Sequence, residues 1–595
     1  MTDHIKSGAA EILNIRFSDK LGDNLFTSSD FLLNTPPADF PGDITVVLFP
    51  VAKRVGMAPD ALGNILGELL VEKLEGVSAF SVVKGFLNLT YSDAYRLEVF
   101  EKYYSDVLIG LPELKPDATA VMVEYPSPNT NKPLHLGHLR NIFLGASVSR
   151  IAEANGQKVI PVCLFNDRGI HICKSMVARQ KFLPNETPET TAMKGDKFVG
   201  DCYVKYSDAY KAEVELLVSN GMPKDQAEKE APIQKEVEAM LLKWEEGDAE
   251  TRELWTLMNG WCYDGMQQTF DKLDVRFDKK YYESEIYNIG KETVKEGLEK
   301  GVFFTAPDGS VRIDLTDVKL DEKVVLRANG TTIYITQDIA IAYQKQNDFD
   351  FGQSIYVVGN EQDYHFKVLF EILKRLGMKA ADKLFHLSYG MMELPTGKMK
   401  SREGTVVDAD DLLDEMTIIA RQKSEDAQKS EHLSEEEKKV LFEQVGYGAL
   451  RYFILKVDPK KKMIFNPEES IDMQGNTGPF IQYTHARCRS VLRKAGEFTR
   501  GYGTYLANDK EWAVIRRISN FAETVETAGK TFNPAGIANF AYELAKEYNQ
   551  FYHDHQILNE PDENAKFFRL RMTELAARTL NKALYLLGIA APEKM

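Results

Sequence analysis

Residues 120–156 read AVMVEYPSPNTNKPLHLGHLRNIFLGASVSRIAEANG, and this stretch decides the fold class. It opens with an apolar run at 120–125, passes through a proline-broken loop and continues into an apolar helical pattern. Similar apolar runs at 158–165 and 354–360 are also followed by helical patterns. Buried strands of a parallel sheet typically have this apolar character and are connected by helices. The alternation predicts an α/β protein with a doubly wound parallel sheet.

The composition changes on both sides of this sheet, which divides the chain into further parts. Residues 1–115 mix short helical stretches with a strand-like segment and predict a separate N-terminal α+β domain. The sheet is expected within 116–410, with an insertion at about 180–330 that is too long for a crossover. The remaining sequence is almost wholly helical, which predicts a connecting region at 411–474 and an all-helical domain at 475–595.

Composition and charge exclude several classes of protein. The 595 residues are 44% hydrophobic and 27% charged, which is typical of a folded globular chain. The net charge of −16 argues against a protein that coats itself with nucleic acid, so any RNA contact would use local basic patches. The sequence has no apolar run long enough for a membrane span, and its start lacks the apolar core of a secretory signal, so we expect a cytoplasmic protein without a membrane partner. Five cysteines without a C-x-x-C pair predict neither disulfides nor a zinc site.

His135 and His138 stand in the tetrapeptide HLGH, at the start of the predicted helix. A helix N-terminus offers free amides and the positive end of its dipole to phosphate, and Gly137 lets a nucleotide approach the backbone closely. Histidines can also donate to charge that develops on phosphate. The bland interpretation is a pair of capping histidines, but their place after the first strand of a doubly wound sheet favours attack on the α-phosphate of ATP.

A second candidate for phosphate chemistry is the basic loop LPTGKMKSREGTVV at 394–407, which follows an apparent strand at 385–390. Lysines there would neutralise the triphosphate while pyrophosphate leaves. Taken alone, such a loop is more often an ordinary solvated turn.

These motifs together resemble those of arginyl-tRNA synthetases. EYPSPNTNKPLHLGHLRN, at 124–141, matches the pattern E-[FY]-x-S-P-N-x-x-K-P-x-H-x-G-H-x-R of that family at nearly every position. HLGH also matches the HIGH motif of class I synthetases, and the loop at 394–407 resembles their KMSKS motif. Further blocks of agreement lie at 326–340, 360–373, 475–487 and 586–595. The resemblance therefore runs through the whole chain.

The resemblance implies a Rossmann-like class I catalytic domain, a C-terminal anticodon-binding domain and an N-terminal domain that touches the corner of the tRNA. It also implies a two-step reaction, in which arginine is activated with ATP and Mg²⁺ as substrate and is then transferred to the 3′-terminal ribose of tRNA(Arg). Pyrophosphate is released in the first step. No protein-bound metal is expected, and members of the family tend to be monomers.

The phosphate-binding residues are divided among two loops, because the loop at 394–407 departs from its motif. Lys398 and Met399 fit, but the next three positions read Lys, Ser and Arg, so the usual second lysine is missing. The resemblance therefore assigns catalysis to Lys132 as well, beside Lys398 and Lys400. ATP contacts are expected from His135, Gly137, His138, Lys398 and Met399.

An arginine pocket needs planar acceptors for a guanidinium that never deprotonates, and Asp338 is the best candidate. Taken singly, it could instead be an ordinary residue in the first turn of a helix. The resemblance places Tyr334 and Asp338 at the guanidinium, Glu124, Asn129 and Gln362 around the ammonium and carboxylate, and Ser127 and His135 close by.

The RNA-binding candidates lie in two aromatic and basic segments, 479–495 and 546–555. Aromatic faces stack unpaired bases and cations hold the backbone, although aromatic residues at helical spacing more often build the core of a bundle. The resemblance favours Tyr483, Arg487, Tyr548, Tyr552 and Met595 as anticodon contacts. Two positions depart from the family: Arg168 replaces a usual aromatic residue, and Phe480 replaces a common tyrosine.

Two alternatives stay open on the sequence alone. One is another enzyme, either a class I synthetase for a different amino acid or a small nucleotidyltransferase. The other is an RNA-binding paralogue without catalytic activity.

Overall fold

The computed structural model describes residues 2–34, 36, 40–393, 407–426, 433–498, 500–503 and 505–595. The N-terminal part contains α1 (Thr2–Arg16), α2 (Ser18–Leu21), β1 (Leu32–Asn34), β2 (Ile44–Val47), α3 (Phe49–Val55), α4 (Pro59–Lys73), β3 (Val77–Val83), β4 (Phe86–Tyr91) and α5 (Asp93–Ser105). Its strands are antiparallel in the order β1-β2-β4-β3, with α4 packed on β3 and β4. The predicted N-terminal α+β fold is confirmed.

The central part begins with β5 (Ala120–Glu124), α6 (Leu136–Ala154), β6 (Val159–Phe165), α7 (Ile170–Phe182), α8 (Pro188–Thr191), α9 (Gly195–Ser219), α10 (Lys224–Glu230), α11 (Pro232–Glu246), α12 (Ala249–Lys272) and β7 (Lys279–Tyr282). It continues with α13 (Glu283–Glu299), β8 (Phe304–Thr305), β9 (Val311–Ile313), β10 (Lys323–Leu326), α14 (Tyr334–Asp348), β11 (Phe351–Gly359), α15 (Asp363–Arg375), β12 (Leu384–Tyr389) and β13 (Met392–Glu393).

The C-terminal part contains α16 (Ala409–Asp426), α17 (Glu435–Leu455), β14 (Met463–Ile464), α18 (Pro467–Ser470), α19 (Gly478–Ala495), α20 (Asp509–Ser519), α21 (Phe521–Thr531), α22 (Ala535–Asp554) and α23 (Glu563–Leu586). Apart from the short β14, the elements described after residue 408 are helical, which confirms the predicted helical C-terminal fold. No helix in the described ranges is long and apolar enough to cross a membrane.

The central sheet is parallel, and its strand order in the described chain is β12-β11-β5-β6-β7. Successive residues of β5 face opposite sides: Val121 and Val123 pack in one core with α6, whereas Ala120 and Met122 pack in another with α14 and α15. The chain first adds strands on one side of β5 and later on the other. The doubly wound sheet is therefore confirmed, and its strand order reverses between β5 and β11.

One strand of this sheet was not predicted. β7 has the sequence KKYY and lies inside the stretch 180–330 that the sequence analysis treated as an insertion, yet it pairs with β6. A run of two lysines and two tyrosines lacks the apolar signal of a buried strand. The helices α9, α11 and α12 of the same stretch pack with α7 around a core of their own.

The N-terminal and C-terminal parts are joined through the buried carboxylate of Asp43. It accepts hydrogen bonds from Trp512 Nε1 at 2.5 Å, from Arg96 Nη2 at 3.0 Å and from the backbone N–H of Tyr91 at 2.7 Å. A carboxylate with this many donors remains satisfied out of water. The contact fixes α20 against the N-terminal sheet.

A second buried charge holds the C-terminal helices together. Glu511 on α20 is fully buried, and its carboxylate accepts from Arg569 Nε of α23 at 2.7 Å. Arg569 also donates to the backbone carbonyl of Gln556 at 2.7 Å. The pair therefore joins α20 to α23.

We expect Arg569→Met to lower the free energy of unfolding of the C-terminal helices by about 3–5 kcal/mol, because it leaves the Glu511 carboxylate buried without its cation. Urea denaturation measures the loss. As a control, Arg500→Met removes an exposed pair with Glu563 and should change that free energy by less than about 1 kcal/mol. Equal effects of the two substitutions would contradict the assignment.

Candidate active site

The helix α6 begins with a reciprocal pair of hydrogen bonds that involves both histidines of the HLGH motif. His135 is the N-cap, and its Nδ1 accepts from the backbone N–H of Gly137 at 3.1 Å. His138 lies three residues later, and its Nδ1 accepts from the backbone N–H of His135 at 3.1 Å. The two rings stack with their centroids 3.8 Å apart. The prediction that the motif lies at a helix start is confirmed.

This cap fixes the protonation state of both rings. A backbone N–H only donates, so each Nδ1 must carry a lone pair and each neutral ring carries its proton on Nε2. Burial lowers the pKa of His135 to about 4, with Lys132 acting in the same direction. Burial, His135 and Lys132 together lower the pKa of His138 well below its usual range. At neutral pH the pair therefore presents two Nε2–H donors and no charge.

The histidines face a cavity of about 510 Å³ at the carboxyl ends of β5 and β11, where the strand order reverses. Ligands of open α/β sheets bind at this position. The cavity gathers six of the residues predicted from the sequence: Ser127, Lys132, His135, Gly137, His138 and Gln362. The cavity is also lined by Tyr389, Met391, Met392, Glu393 and Lys462.

Of the three lysines predicted for this cavity, only Lys132 lies within the described residues. Lys132 is half-buried in the loop before α6, and burial lowers the pKa of its ammonium group. Lys398, Met399 and Lys400 lie outside the described residues. No cluster of three or more histidine, cysteine, aspartate or glutamate side chains that could hold a metal occurs within the described ranges.

Glu124 ends β5 and is buried behind the cavity. Its carboxylate forms an ion pair with the fully buried ammonium of Lys345, from α14, and accepts from Ser127 Oγ at 3.3 Å. Burial alone would lower the pKa of Lys345, but Glu124, with smaller effects from Tyr356 and Asp338, outweighs burial and the pKa is raised. Ser127 adopts a left-handed φ of +53°, a strained conformation typical of functional loops. Lys345 and Ser127 therefore fix the direction of the Glu124 carboxylate.

The residues predicted for the guanidinium lie on α14, outside the lining of the histidine cavity. Asp338 accepts or shares a hydrogen bond with His365 Nε2 at 2.6 Å, and its side chain is one-third exposed. Tyr334, one turn earlier, is 74% exposed. Gln362 connects the two regions, because it lines the cavity and lies three residues before His365. Asn129 is exposed and forms an isolated backbone bridge with Asn166.

A carboxylate near Asp338 was not predicted from the sequence. Glu283 begins α13, directly after β7, and burial raises its pKa to about 7. Arg168 opposes that shift, whereas the carboxylates of Asp167 and Asp338 add to it. Polar residues at the carboxyl end of a parallel strand are expected to reach the ligand. Recognition of β7 would therefore have pointed to Glu283.

Arg168, the departure from the family pattern, remains packed against an aromatic ring. Its guanidinium lies 5.2 Å from the ring of Trp244 and pairs with Glu245 at 3.2 Å. The guanidinium of Arg252 also lies over the Trp244 ring, 3.5 Å from its centroid. The substitution therefore keeps the loop after β6 attached to the helical stretch, through cation–π contacts.

The RNA-binding candidates separate into exposed and buried groups. Arg487 lies between the rings of Tyr483 and Tyr552, with its guanidinium 4.9 Å from each centroid. Tyr552 is 39% exposed. Tyr548 differs from the prediction: it is fully buried and its hydroxyl meets Thr573 Oγ1 at 3.2 Å, so its ring offers no face to a base. Met595 is half-buried against the helical core.

Comparison with known proteins gives the same class as the fold and the site. A family model described as tRNA synthetases class I (R), catalytic domain, matches residues 108–466, and a DALR anticodon binding domain model matches 481–595. The parallel sheet, the HLGH cap at its reversal point and the helical C-terminal part define a class I aminoacyl-tRNA synthetase fold.

Relatives narrow the class to one amino acid. The chain is 52% identical over 569 residues to the arginine–tRNA ligase of Flavobacterium psychrophilum, and 50% identical over 562 residues to that of Bacteroides fragilis, covering 94% of each chain in both cases. It resembles the structure of Thermus thermophilus arginyl-tRNA synthetase with a TM-score of 0.78 and 25% identity over 99% of each chain. The protein belongs to the arginine–tRNA ligase family.

We expect His138→Ala to lower the rate of adenylate formation by about 10²–10³, the usual loss when one donor to developing charge is removed. His135→Ala should have a similar effect. Single-turnover measurement of adenylate provides the test, and tRNA affinity should stay near that of the unmodified protein.

His138→Gln separates chemistry from folding in this experiment. Its amide oxygen can still accept the His135 N–H and preserve the cap, so thermal stability should recover more than activity. Unchanged turnover in both alanine variants would contradict the role of the HLGH pair.

Proposed function

We propose that this protein joins L-arginine to tRNA(Arg) at the expense of ATP. In the first step an arginine carboxylate oxygen attacks the α-phosphorus, the bond to the β-phosphate oxygen breaks, and pyrophosphate leaves with the electron pair. In the second step the terminal ribose hydroxyl of tRNA attacks the activated carbonyl and AMP leaves. The observation that carries the proposal is the pair of neutral imidazoles at the start of α6, which line the cavity at the sheet's reversal point.

The first step requires positioning and charge stabilisation rather than an acid–base pair. The Nε2–H groups of His135 and His138 would donate to oxygens of the α-phosphate, and Gly137 leaves room for the nucleotide beside the backbone. Lys132 would neutralise phosphate charge together with Lys398 and Lys400. We propose that Mg²⁺ enters with ATP and screens the remaining phosphate charge.

Recognition of the arginine side chain is assigned to the carboxylates near α14 and the start of α13. The carboxylates of Asp338 and Glu283 would receive the guanidinium, which keeps its charge at any working pH, with Tyr334 at their exposed edge. A cation placed between these two groups would lower the raised pKa of Glu283 and ionise it.

The ammonium and carboxylate of arginine would bind closer to the histidines. Glu124, which Lys345 holds in place, Asn129 and Gln362 are the proposed partners, with Ser127 close by. This arrangement places the reactive carboxylate between the guanidinium pocket and the phosphate cavity.

Recognition of tRNA is assigned to the cluster of Tyr483, Arg487 and Tyr552, of which Tyr552 is exposed and the other two are half-buried, and to Met595 in the same helical part. Aromatic faces would stack bases of the anticodon loop, and the arginine would contact its backbone. The N-terminal α+β part would contact the corner of the tRNA. We propose domain boundaries near residues 115, 410 and 474, and a monomer that acts in the cytoplasm.

The decisive experiment is charging of total tRNA with each of the twenty amino acids in the presence of ATP. Incorporation of arginine alone supports the proposal. A different amino acid would identify another class I specificity, and tRNA binding without any charging would identify a catalytically silent paralogue. Gel filtration with light scattering tests the monomer.

We expect Asp338→Asn to lower kcat/KM for arginine by about 10–10², the loss of one charge-assisted hydrogen bond of about 1.5–3 kcal/mol. Partial exposure of Asp338 keeps the loss below that of a fully buried pair. Citrulline carries a neutral urea, so its low kcat/KM should change little. The ratio of kcat/KM for arginine to kcat/KM for citrulline should therefore fall. Charging kinetics of both substrates measure the ratio.

Asp350→Asn is the matched control, because Asp350 is exposed just beyond the end of α14. It should retain the preference of the unmodified protein. If Asp338→Asn also retains it, then Glu283 rather than Asp338 reads the guanidinium.

We expect Tyr552→Ala to raise the Kd for tRNA(Arg) roughly 5- to 150-fold, since a stacked base contributes about 1–3 kcal/mol. Filter binding or fluorescence titration at fixed salt measures the change. Tyr585→Ala removes another exposed tyrosine, whose ring contacts Arg150 instead, and should leave the Kd within about twofold. Equal Kd values for the two variants would refute the stacking role.

A further inference from the structure

Residues 458–463 read DPKKKM, and the three consecutive lysines have different surroundings. Lys462 lines the histidine cavity together with Lys132, His135 and His138. Lys460 lines a separate cleft of about 760 Å³ between the N-terminal part and α21, and Lys461 lines neither of these spaces. All three lysines are exposed. The cavity therefore contains a cation that no sequence motif had indicated.

The backbone that carries Lys462 is held tightly against the end of β12. The N–H of Gly390 donates to the carbonyl of Pro459 at 2.9 Å, and the N–H of Met463 donates to that of Met391 at 3.2 Å. A Cβ on Gly390 would lie 2.6 Å from the carbonyl oxygen of Lys461, so this close approach requires glycine. The lysine therefore projects from a fixed segment.

The same segment is anchored to the helix that carries the histidines. Arg140 on α6 is buried, and its Nη2 donates to the carbonyls of Pro459 at 3.0 Å and Lys461 at 2.8 Å, while Nη1 donates to that of Met391 at 3.3 Å. Arg140 follows His138 by two residues. One turn of α6 thus sets the position of Lys462 relative to His135 and His138.

The ammonium of Lys462 is available to a ligand. It forms no ion pair with any residue that the structure describes, whereas the Arg140 guanidinium is committed to backbone carbonyls. Lys132 approaches the cavity from the loop before α6, and Lys462 approaches from the segment before β14. A polyphosphate chain placed between them would have a cation on two sides.

We propose that Lys462 is a further catalytic residue, whose ammonium binds the β- and γ-phosphates of ATP and stays with the pyrophosphate as it leaves. This inference rests on the proposed function. As the bond between the α-phosphorus and the bridging oxygen breaks, the electron pair moves to pyrophosphate, and Lys462 donates N–H hydrogen bonds to its oxygens. No proton is transferred. A mobile point charge suits a group whose charge grows and then departs.

The test compares Lys462→Met with Lys461→Met in the full-length protein. Pyrophosphate exchange with arginine and tRNA present should fall about 10- to 100-fold in Lys462→Met, with a KM for pyrophosphate raised at least about fivefold. The KM for arginine and the Kd for tRNA should stay within about twofold. Lys461→Met should match the unmodified protein, and Lys462→Arg should recover most of the rate, because it restores the charge.

Two outcomes of the exchange experiment would overturn the inference. Equal exchange rates in Lys462→Met and Lys461→Met would show that Lys462 does not contact phosphate. A change confined to the Kd for tRNA would place Lys462 on the RNA surface instead. Calorimetric binding of ATP and of pyrophosphate, without arginine, keeps the two proposals separate. Loss of that binding in Lys462→Met alone supports the phosphate contact even if the unmodified protein charges no arginine, and unaltered binding refutes it.

Discussion

Two backbone N–H groups at the start of α6 donate to the Nδ1 atoms of His135 and His138, and the rest of the site depends on this pair of hydrogen bonds. Because each Nδ1 serves as an acceptor, the rings are neutral, and their remaining N–H groups, which have no hydrogen-bond partner in the part of the chain that the structure describes, can donate to a ligand. The cap also fixes where the helix begins, and hence the direction in which its dipole points. Arg140 follows within the same turn and extends that control to the opposite wall of the cavity.

The cations and the neutral donors of the site lie mainly around the space proposed for phosphate, which Glu361 and Glu393 also line. The carboxylates of Glu283, Asp338 and Asp167 lie close enough to interact where the guanidinium is expected. Between them lies the buried pair of Glu124 and Lys345. Burying an ion pair costs free energy through desolvation, so its retention beside the site points to a positional role. Lys345 fixes the Glu124 carboxylate at the junction of the two regions, and it joins α14 to the end of β5.

Much of this arrangement could be predicted from the sequence because it is local. Apolar runs identified the strands on both sides of the reversal point, and the order strand, loop, helix placed the histidines at a helix start. What failed depends on contacts between distant segments. β7 is stabilised by pairing with β6 rather than by its own apolar character, and Glu283 was missed along with it. Tyr548 and Tyr552 lie one turn apart on α22, yet only packing against α23 decides that the first is buried.

The catalytic part and the proposed RNA-binding part are separate along the sequence, but they pack against each other in the structure. α6 contacts α17, α21 and α23 along its length, and Ser147 Oγ of α6 donates to the carbonyl of Leu586 at 2.8 Å. The end of the chain returns to α19, where Gln482 Nε2 donates to the carbonyl of Ala590 at 2.9 Å. Side chains of α6 and of the C-terminal helices share one continuous core. An interface of this kind resists rigid-body motion, because any rotation must repack buried apolar groups. The helix that presents the histidines at one end is thus held along its sides by the bundle that carries the proposed anticodon surface. Packing, rather than a linker, therefore sets the position of that surface relative to His135 and His138.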